Sequence, residues 1–279
     1  MINLTIQLEA KATQLAAAFE RGATGDGDAI RKARARWLAY RKAAGYAGAA
    51  ELLTHPAAQL KLGKSDVYSV GLTLQSADGA GVETCAWRGD CTSVCVLKNG
   101  NGRYASVQRA RDVRTRYLAE HSADAVTLLG AELAKVQAVH GAALVRLNVN
   151  SDLRFHRILP NLGNGELLAG LRFYDYTKNP ATLRTNGLVA ERYRLTYSVN
   201  EKSNLDKVER FVAAGGTATF VTNRRKGAPT LTHWRGHLVV DGDMSDDRFH
   251  EAGVVVDLAA KGKARTLVGA SRFVAEWYA

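Results

Sequence analysis

Cys85, Cys91 and Cys95 fall within eleven residues of a 279-residue chain that has no other cysteine. The segment reads Cys-Ala-Trp-Arg-Gly-Asp-Cys-Thr-Ser-Val-Cys, a C-x5-C-x3-C spacing. Three thiolates on one short loop can converge on a metal with little loop-closure entropy to overcome. Gly89 and the preceding Gly79-Ala-Gly81 give the backbone freedom to wrap a small object. A secreted disulfide framework would show an even number of cysteines spread along the chain, so an odd, tight cluster points to metal. Structural zinc wants four ligands, usually as paired C-x2-C spacings. No second pair exists here, and the nearest histidine in sequence, His121, is far away. A [4Fe–4S] cluster on three cysteines, with one iron open to a small molecule or a side chain, fits this donor set better. Zinc is the alternative metal, and three unliganded thiols packed as small apolar groups are the plainest reading.

Polar residues gather where the chain leaves its expected strands. RLNVNSD supplies Asn148, Asn150 and Asp152, and FYDYTKNP supplies Asp175, Tyr176 and Lys178. TYSVNEKS supplies Ser198, Asn200 and Glu201, and a later strand ends at Asn223. DGDMSDDR then brings Asp241, Asp243, Asp246, Asp247 and Arg248, and LAAKGKAR brings Lys261 and Lys263. Asn, Asp and Ser are common turn formers, so each alone is ordinary loop chemistry. As a set they predict a shared polar pocket. Asn148, Asn150, Asp152, Asp175 and Lys178 are its candidate catalytic residues, and Asn200, Asp241, Asp243 and Lys261 its candidate cofactor-binding residues. DGDMSDD lacks the length and terminal Glu of an EF-hand loop, which excludes that calcium site. Gly100-Asn-Gly-Arg103 is too short for a phosphate-loop signature, although a helix opening there could meet an anion. Arg103, Arg109, Arg111, Arg114 and Arg116 could serve an anionic ligand or pair with neighbours such as Asp112 and Glu120.

The elements that must position these groups read as alternating strands and helices. Strands are expected at 67–75, 143–149, 171–177, 192–199, 217–223, 237–243 and 253–259, most of them 20–28 residues apart. A helical stretch covers roughly 103–139, broken near Glu120–Ala123, and an amphipathic run at 202–216 ends in Gly-Gly. Repeated strand–helix–strand spacing argues for an α/β fold, a (β/α) barrel or partial barrel of about six to eight mostly parallel strands. A doubly wound open sheet is the alternative. The cysteine loop follows the first of these strands, on the face where such folds place their sites.

Residues 1–63 read as a helical, basic N-terminal extension, and 64–279 as the barrel-like domain carrying the cysteine loop. One helix is expected from about Leu4 to Phe19, and a second over 28–44 with Asp28 as its N-cap and Gly45 as its stop. The second carries Arg31, Lys32, Arg34, Arg36, Arg41 and Lys42 among Trp37 and Tyr40. That face could meet nucleic acid or a membrane surface, or be a solvated face whose aromatic rings pack on the body. The formal charge of +11 suits a polyanionic partner without locating a patch. No run approaches a membrane span, and the start lacks the pattern of a secretory signal, so a cytoplasmic protein is expected.

The order LTLQSADGAGVETCAWRGDC, VQRARDVRTR, RLNVNSD, FYDYTK, LTYSVNE, VVDGD and LAAKGKAR resembles a three-cysteine family of uncharacterised actinobacteriophage and bacterial proteins. The resemblance spans about residues 60–270. That family is distantly similar to radical S-adenosylmethionine (SAM) enzymes, whose partial barrel carries a three-cysteine [4Fe–4S] loop after its first strand. The resemblance implies Cys85, Cys91 and Cys95 as cluster ligands, in host cytoplasm if phage-encoded. The chain departs from the radical SAM spacing C-x3-C-x2-C, and no Gly-Gly-Glu segment follows its second strand. Cluster binding therefore carries over better than SAM cleavage. The expected function is a cluster-binding, radical-SAM-like or redox protein with an open iron. The alternative is a nucleic-acid-binding protein whose iron–sulfur or zinc site is structural.

Overall fold

Short strands alternating with helices build a mixed α/β structure whose strand pairs are mostly parallel. The computed structural model describes residues 2–58, 62–76, 79–95, 97 and 100–278. Ala77 and Asp78, in the Gly-rich segment expected as a turn before the cysteines, lie outside the described residues. The chain divides into two units. The first holds Met1–Ala86, Arg103–Phe173 and Ala190–Tyr193, and the second holds Trp87–Gly102, Tyr174–Val189 and Arg194–Ala279.

The first unit runs β1 (Ile2–Asn3), α1 (Leu4–Glu9), α2 (Ala12–Ala23), α3 (Gly27–Ala43), β2 (Leu53–Thr54), β3 (Ser69–Leu72) and β4 (Val82–Glu83). It continues with α4 (Ala105–Glu120), α5 (Ser122–His140), β5 (Ala143–Arg146), α6 (Phe155–Ile158) and the start of β6 (Leu171–Thr177). The single N-terminal helix expected from Leu4 is two, interrupted at Ala10 and Lys11, and α2 runs through Gly22. The cap of α3 is Asp26, whose carboxylate accepts the Ala29 N–H at 3.0 Å; Asp28 sits in the first turn and pairs with Lys32 at 2.6 Å. The long helical stretch breaks at His121, which leaves helical geometry at φ −127°, ψ 47°.

Glycines set the crossing of α2 and α5. A Cβ on Gly22 would lie 1.9 Å from the Thr127 carbonyl oxygen, and one on Gly130 would lie 2.3 Å from that of Phe19. The two helices meet backbone to backbone, and any side chain at either position forces them apart. β3 pairs in parallel with β5, β5 in parallel with β6, and β2 lies antiparallel on the outer side of β3. Every residue of β3 and β5 is buried, so both strands are covered on both faces and read as runs without alternation. β1 pairs in parallel with β4, placing Asn3 beside Glu83, two residues before Cys85.

β7 (Leu188–Ala190) and β8 (Tyr193–Ser198) lead into α7 (Leu205–Ala213), β9 (Thr217–Thr222), β10 (His233–Trp234), β11 (His237–Asp241), β12 (Val255–Ala259) and β13 (Val274–Ala275). In the second unit β8, β9, β12 and β11 are parallel neighbours in that order, and β10 closes the edge antiparallel to β11. Asn204 caps α7 by accepting the Lys207 N–H at 3.0 Å. Val208, Phe211 and Val212 then form a 3.6-period stripe buried in one cluster with Tyr197, Val199, Ala218, Phe220 and Val255.

All seven expected strands are present, β6 over its full expected span and the others trimmed by one to five residues. The expected barrel closure is not made by hydrogen bonds. The strand order ends at β2 in the first unit and at β10 in the second, both two-residue antiparallel strands. An antiparallel strand of two residues offers too few ladder groups to continue a parallel sheet into a ring.

Candidate metal centre and the strand ends

Cys85 belongs to the first unit, and Cys91 and Cys95 to the second; all three thiols are half-buried. Each part of the loop is held by its own neighbours, at the carboxyl ends of parallel strands.

In the first unit the residue before Cys85 is fixed on both sides. The Thr84 hydroxyl donates to the Gln75 carbonyl at 2.8 Å, and the Thr84 carbonyl accepts the Asp152 N–H at 2.8 Å. The Cys85 N–H donates to the Glu83 carboxylate at 2.7 Å, and its thiol faces the Asn150 carbonyl at 3.8 Å. The loop after β5 is therefore the wall against which Cys85 rests. Asn148 shapes that loop: its Oδ1 accepts the Leu153 N–H and the Ser151 hydroxyl, and its Nδ2 donates to the Leu153 carbonyl, all at 2.8 Å. Buried Arg146 braces it from below, donating to the carbonyls of Asn148 and Val149. The amide nitrogen of Asn150 is buried without a hydrogen-bond partner among the described residues. Asn148, Asn150 and Asp152 are thus brought together beside Cys85, the first two as builders of its wall.

In the second unit Asp90–Thr92 forms a 3-10 turn. The Asp90 N–H donates to Glu201 Oε1 at 3.2 Å, and its carboxylate accepts the Ser271 hydroxyl at 2.5 Å. A Cβ on Gly89 would lie 1.9 Å from the Glu201 carboxylate, so any side chain there would push the Glu201 side chain aside. Cys91 packs on a small apolar cluster of Val94, Ala260, Phe273 and Val274. Sequence reasoning placed Glu201 among the polar strand ends without a role; the signal that could have found it is the glycine opposite it.

The remaining strand ends divide by role. Asp175 is 1% exposed on β6, and Lys178 donates to the Ser198 hydroxyl at 3.2 Å. Asn200 accepts the Lys202 N–H at 3.0 Å and the Ser203 hydroxyl at 3.1 Å, shaping the turn before α7. Asn223 holds the C-terminal segment, accepting the Trp277 and Tyr278 N–H groups and donating to the Tyr278 carbonyl.

Asp241, Asp243 and Lys261 join a different cluster. Arg224, 1% exposed, donates to Asp241 at 2.7 and 3.2 Å and to Asp243 at 3.2 Å, and meets fully buried Asp257 at 3.0 Å. Lys261 donates to Asp243 at 2.5 Å. Burial would raise the Asp241 carboxyl, but the Asp243 N–H and the Arg224 guanidinium outweigh it and hold it below the usual carboxylate range. Burial and a hydrogen bond to Asp257 push the Tyr278 phenol up to about 12. This cluster satisfies itself, which leaves its acids little capacity for an added cofactor. Buried Arg248 does the same for DGDMSDD, donating to the carbonyls of Gly242, Ser245 and Asp247 and to Glu251.

The arginines of α4 serve the first unit's own chain. Arg109 donates to the Ala44 carbonyl, Arg114 to the Glu51 carbonyl, and Arg116 pairs with Asp112 at 3.1 Å. On α3, Trp37 and Arg41 are buried, and Arg41 lies over the rings of Trp37 and Tyr46.

Among the described residues no three His, Cys, Asp or Glu side chains are grouped to hold a metal ion. No helix among them is long and apolar enough to cross a membrane. A family model described as Gene product 88 matches residues 37–275. No curated protein and no solved structure matches the chain.

Proposed function

This chain belongs to the Gene product 88 family, and from that premise we propose that it binds a [4Fe–4S] cluster through Cys85, Cys91 and Cys95, leaving one iron open. The observation that carries the reading is the seating of Cys85 on the loop after β5, with its thiol on the Asn150 carbonyl and Thr84 bonded to Asp152. Ligand sites in parallel α/β sheets lie outside the carboxyl ends of the strands. The donor type suits the group, three half-buried thiols with soft sulfur and no histidine among them, although among the described residues they are not drawn together around a metal, so binding a cluster would have to gather them. When bound, such a cluster supplies one-electron transfer or a Lewis-acidic iron.

The protein's own part is positioning. Asn148 fixes the wall beside Cys85, and Glu201 holds the Asp90 N–H next to Cys91. Asn150 and Asp152 are the first unit's side chains that we assign to an open iron, and Asp175, Lys178 and Asn200 are the second unit's candidates by residue type. Asp241, Asp243 and Lys261 are better explained by Arg224 than by a cofactor. A radical-SAM-like partial barrel and a redox protein are the two forms this reading takes, and SAM cleavage under reductant separates them.

The alternative, nucleic-acid binding through the N-terminal helices, draws on the net charge of +11. It has less support, because Arg31 and Lys32 pair with Asp28, Arg36 pairs with Asp124 at 3.0 Å, and Arg41 is buried.

Protein purified without oxygen is expected to be brown and to carry about four irons and four sulfides per chain, with the paramagnetic resonance of a reduced cluster. A colourless protein with one zinc per chain would sink the iron–sulfur claim.

A further inference from the structure

The second unit contains a cavity of about 370 Å³ whose walls include Phe220, Trp234, Trp277, Glu201, Ser203 and Arg272. We infer that it is a binding site for a small organic cation, an ammonium group carrying a flat apolar body. Its size falls within the range of small-ligand pockets. The apolar wall is aromatic: Phe220 lies 5.0 Å from Trp234 and 4.8 Å from Trp277 between ring centroids. Rings so arranged offer flat faces with negative potential, which attract cations as well as apolar surface. Trp234 already shows this preference, since the Arg235 guanidinium sits 5.2 Å from its ring centroid.

The polar wall supplies the complement. Glu201 Oε1 is engaged by the Asp90 N–H, while its Oε2 is buried with no hydrogen-bond partner among the described residues. A buried carboxylate oxygen without a donor is costly, and a small turn of the Glu201 carboxylate toward the cavity would let a ligand ammonium remove that cost with a charge-assisted bond. Arg272, also in the cavity wall, is engaged by the same residue's main chain, donating to the Glu201 carbonyl at 2.8 Å. Glu276 adds a second acid to the cavity wall, so carboxylates outnumber guanidinium groups there. An anionic ligand of the same shape would place its charge against Glu201.

The test uses the full chain as purified, whatever its metal content, so its failure leaves the cluster claim standing. The probes are 2-phenylethylamine and 3-phenylpropionate, which share a ring and differ in the sign of their charge. Binding is read from the indole N–H resonances of Trp234 and Trp277, with buried Trp37 of the first unit as internal control. The amine is expected to shift Trp234 and Trp277 and leave Trp37 in place, and the carboxylate to shift none. Glu201→Gln is expected to weaken the amine about tenfold or more. Binding of both probes alike, of neither, or of the amine without movement of Trp234 and Trp277 would overturn the proposal. So would unchanged amine affinity in Glu201→Gln. If that variant does not fold, the contrast between the two probes on the unaltered chain decides.

Discussion

The cysteines of the first and second units are held by different chemistry. Cys85 rests on a polar wall, a loop whose shape is set by the three hydrogen bonds of Asn148 and by Arg146 beneath it. Cys91 rests on an apolar cluster and is steered by one charged latch, Glu201 to Asp90. A polar wall is directional and fails when one group is left unsatisfied, whereas an apolar bed yields gradually. The polar strand ends contrast in the same way: those after β5 build a surface facing a cysteine, while those after β11 and β12 are consumed by Arg224.

The largest effect is expected where Asp241, Asp243 and Asp257 lose the buried guanidinium they share. Arg224→Met leaves Asp257 fully buried and unpaired in charge, and we expect a loss of about 4 kcal/mol in denaturant unfolding. If Asp241 and Asp243 serve a cofactor instead, the loss would be much smaller and ligand binding would suffer first. Asn148→Ala strands the buried Leu153 N–H and carbonyl and is expected to cost about 3 kcal/mol. It should also lower bound iron, because the wall beside Cys85 is disturbed; unchanged iron would break the link between wall and ligand.

A pH titration sharpens the comparison within the first unit. Glu132 on α5 accepts the Leu52 and Leu53 N–H groups, yet burial raises its carboxyl from 4.5 to about 7. Between those values the folded chain holds a proton that the unfolded chain has released. Stability from this group is therefore complete below pH 4.5 and falls as pH rises to about 7, by an amount on the order of 3 kcal/mol. Glu132→Gln is expected to remove that slope, which is read from melting temperature against pH. The smallest effect is Ser271→Ala, which removes one bond to Asp90 at the half-exposed end of the second unit's latch. We expect about 0.5–1 kcal/mol and little change in bound metal.

How much of this was legible in the sequence depends on whether the signal was periodic or geometric. The seven strands and the break at His121 follow from hydrophobic runs and their interruptions. Strands of two residues, such as Leu53–Thr54 and His233–Trp234, carry no periodicity, and they are the edges that leave the strand order open. The break after Glu9 was missed because Ala10 and Lys11 are good helix formers. At the strand ends, residue type marked polarity without showing what satisfied it. Asn148 reads the same as Asn223 in sequence, yet one shapes the wall at Cys85 and the other pins the C-terminal segment. Arg224 was invisible because one arginine beside a strand end says nothing of three aspartates brought to it from β11, β12 and the turn between them.

The central claim is that three cysteines, held by two different kinds of support, serve one metal group. Its most direct measurement is the iron and sulfide content of oxygen-free preparations of Cys85→Ser, Cys91→Ser and Cys95→Ser beside the unaltered chain. The account predicts that each single substitution removes most of the iron while the chain stays folded. Full iron in Cys85→Ser, or zinc in place of iron throughout, would contradict it.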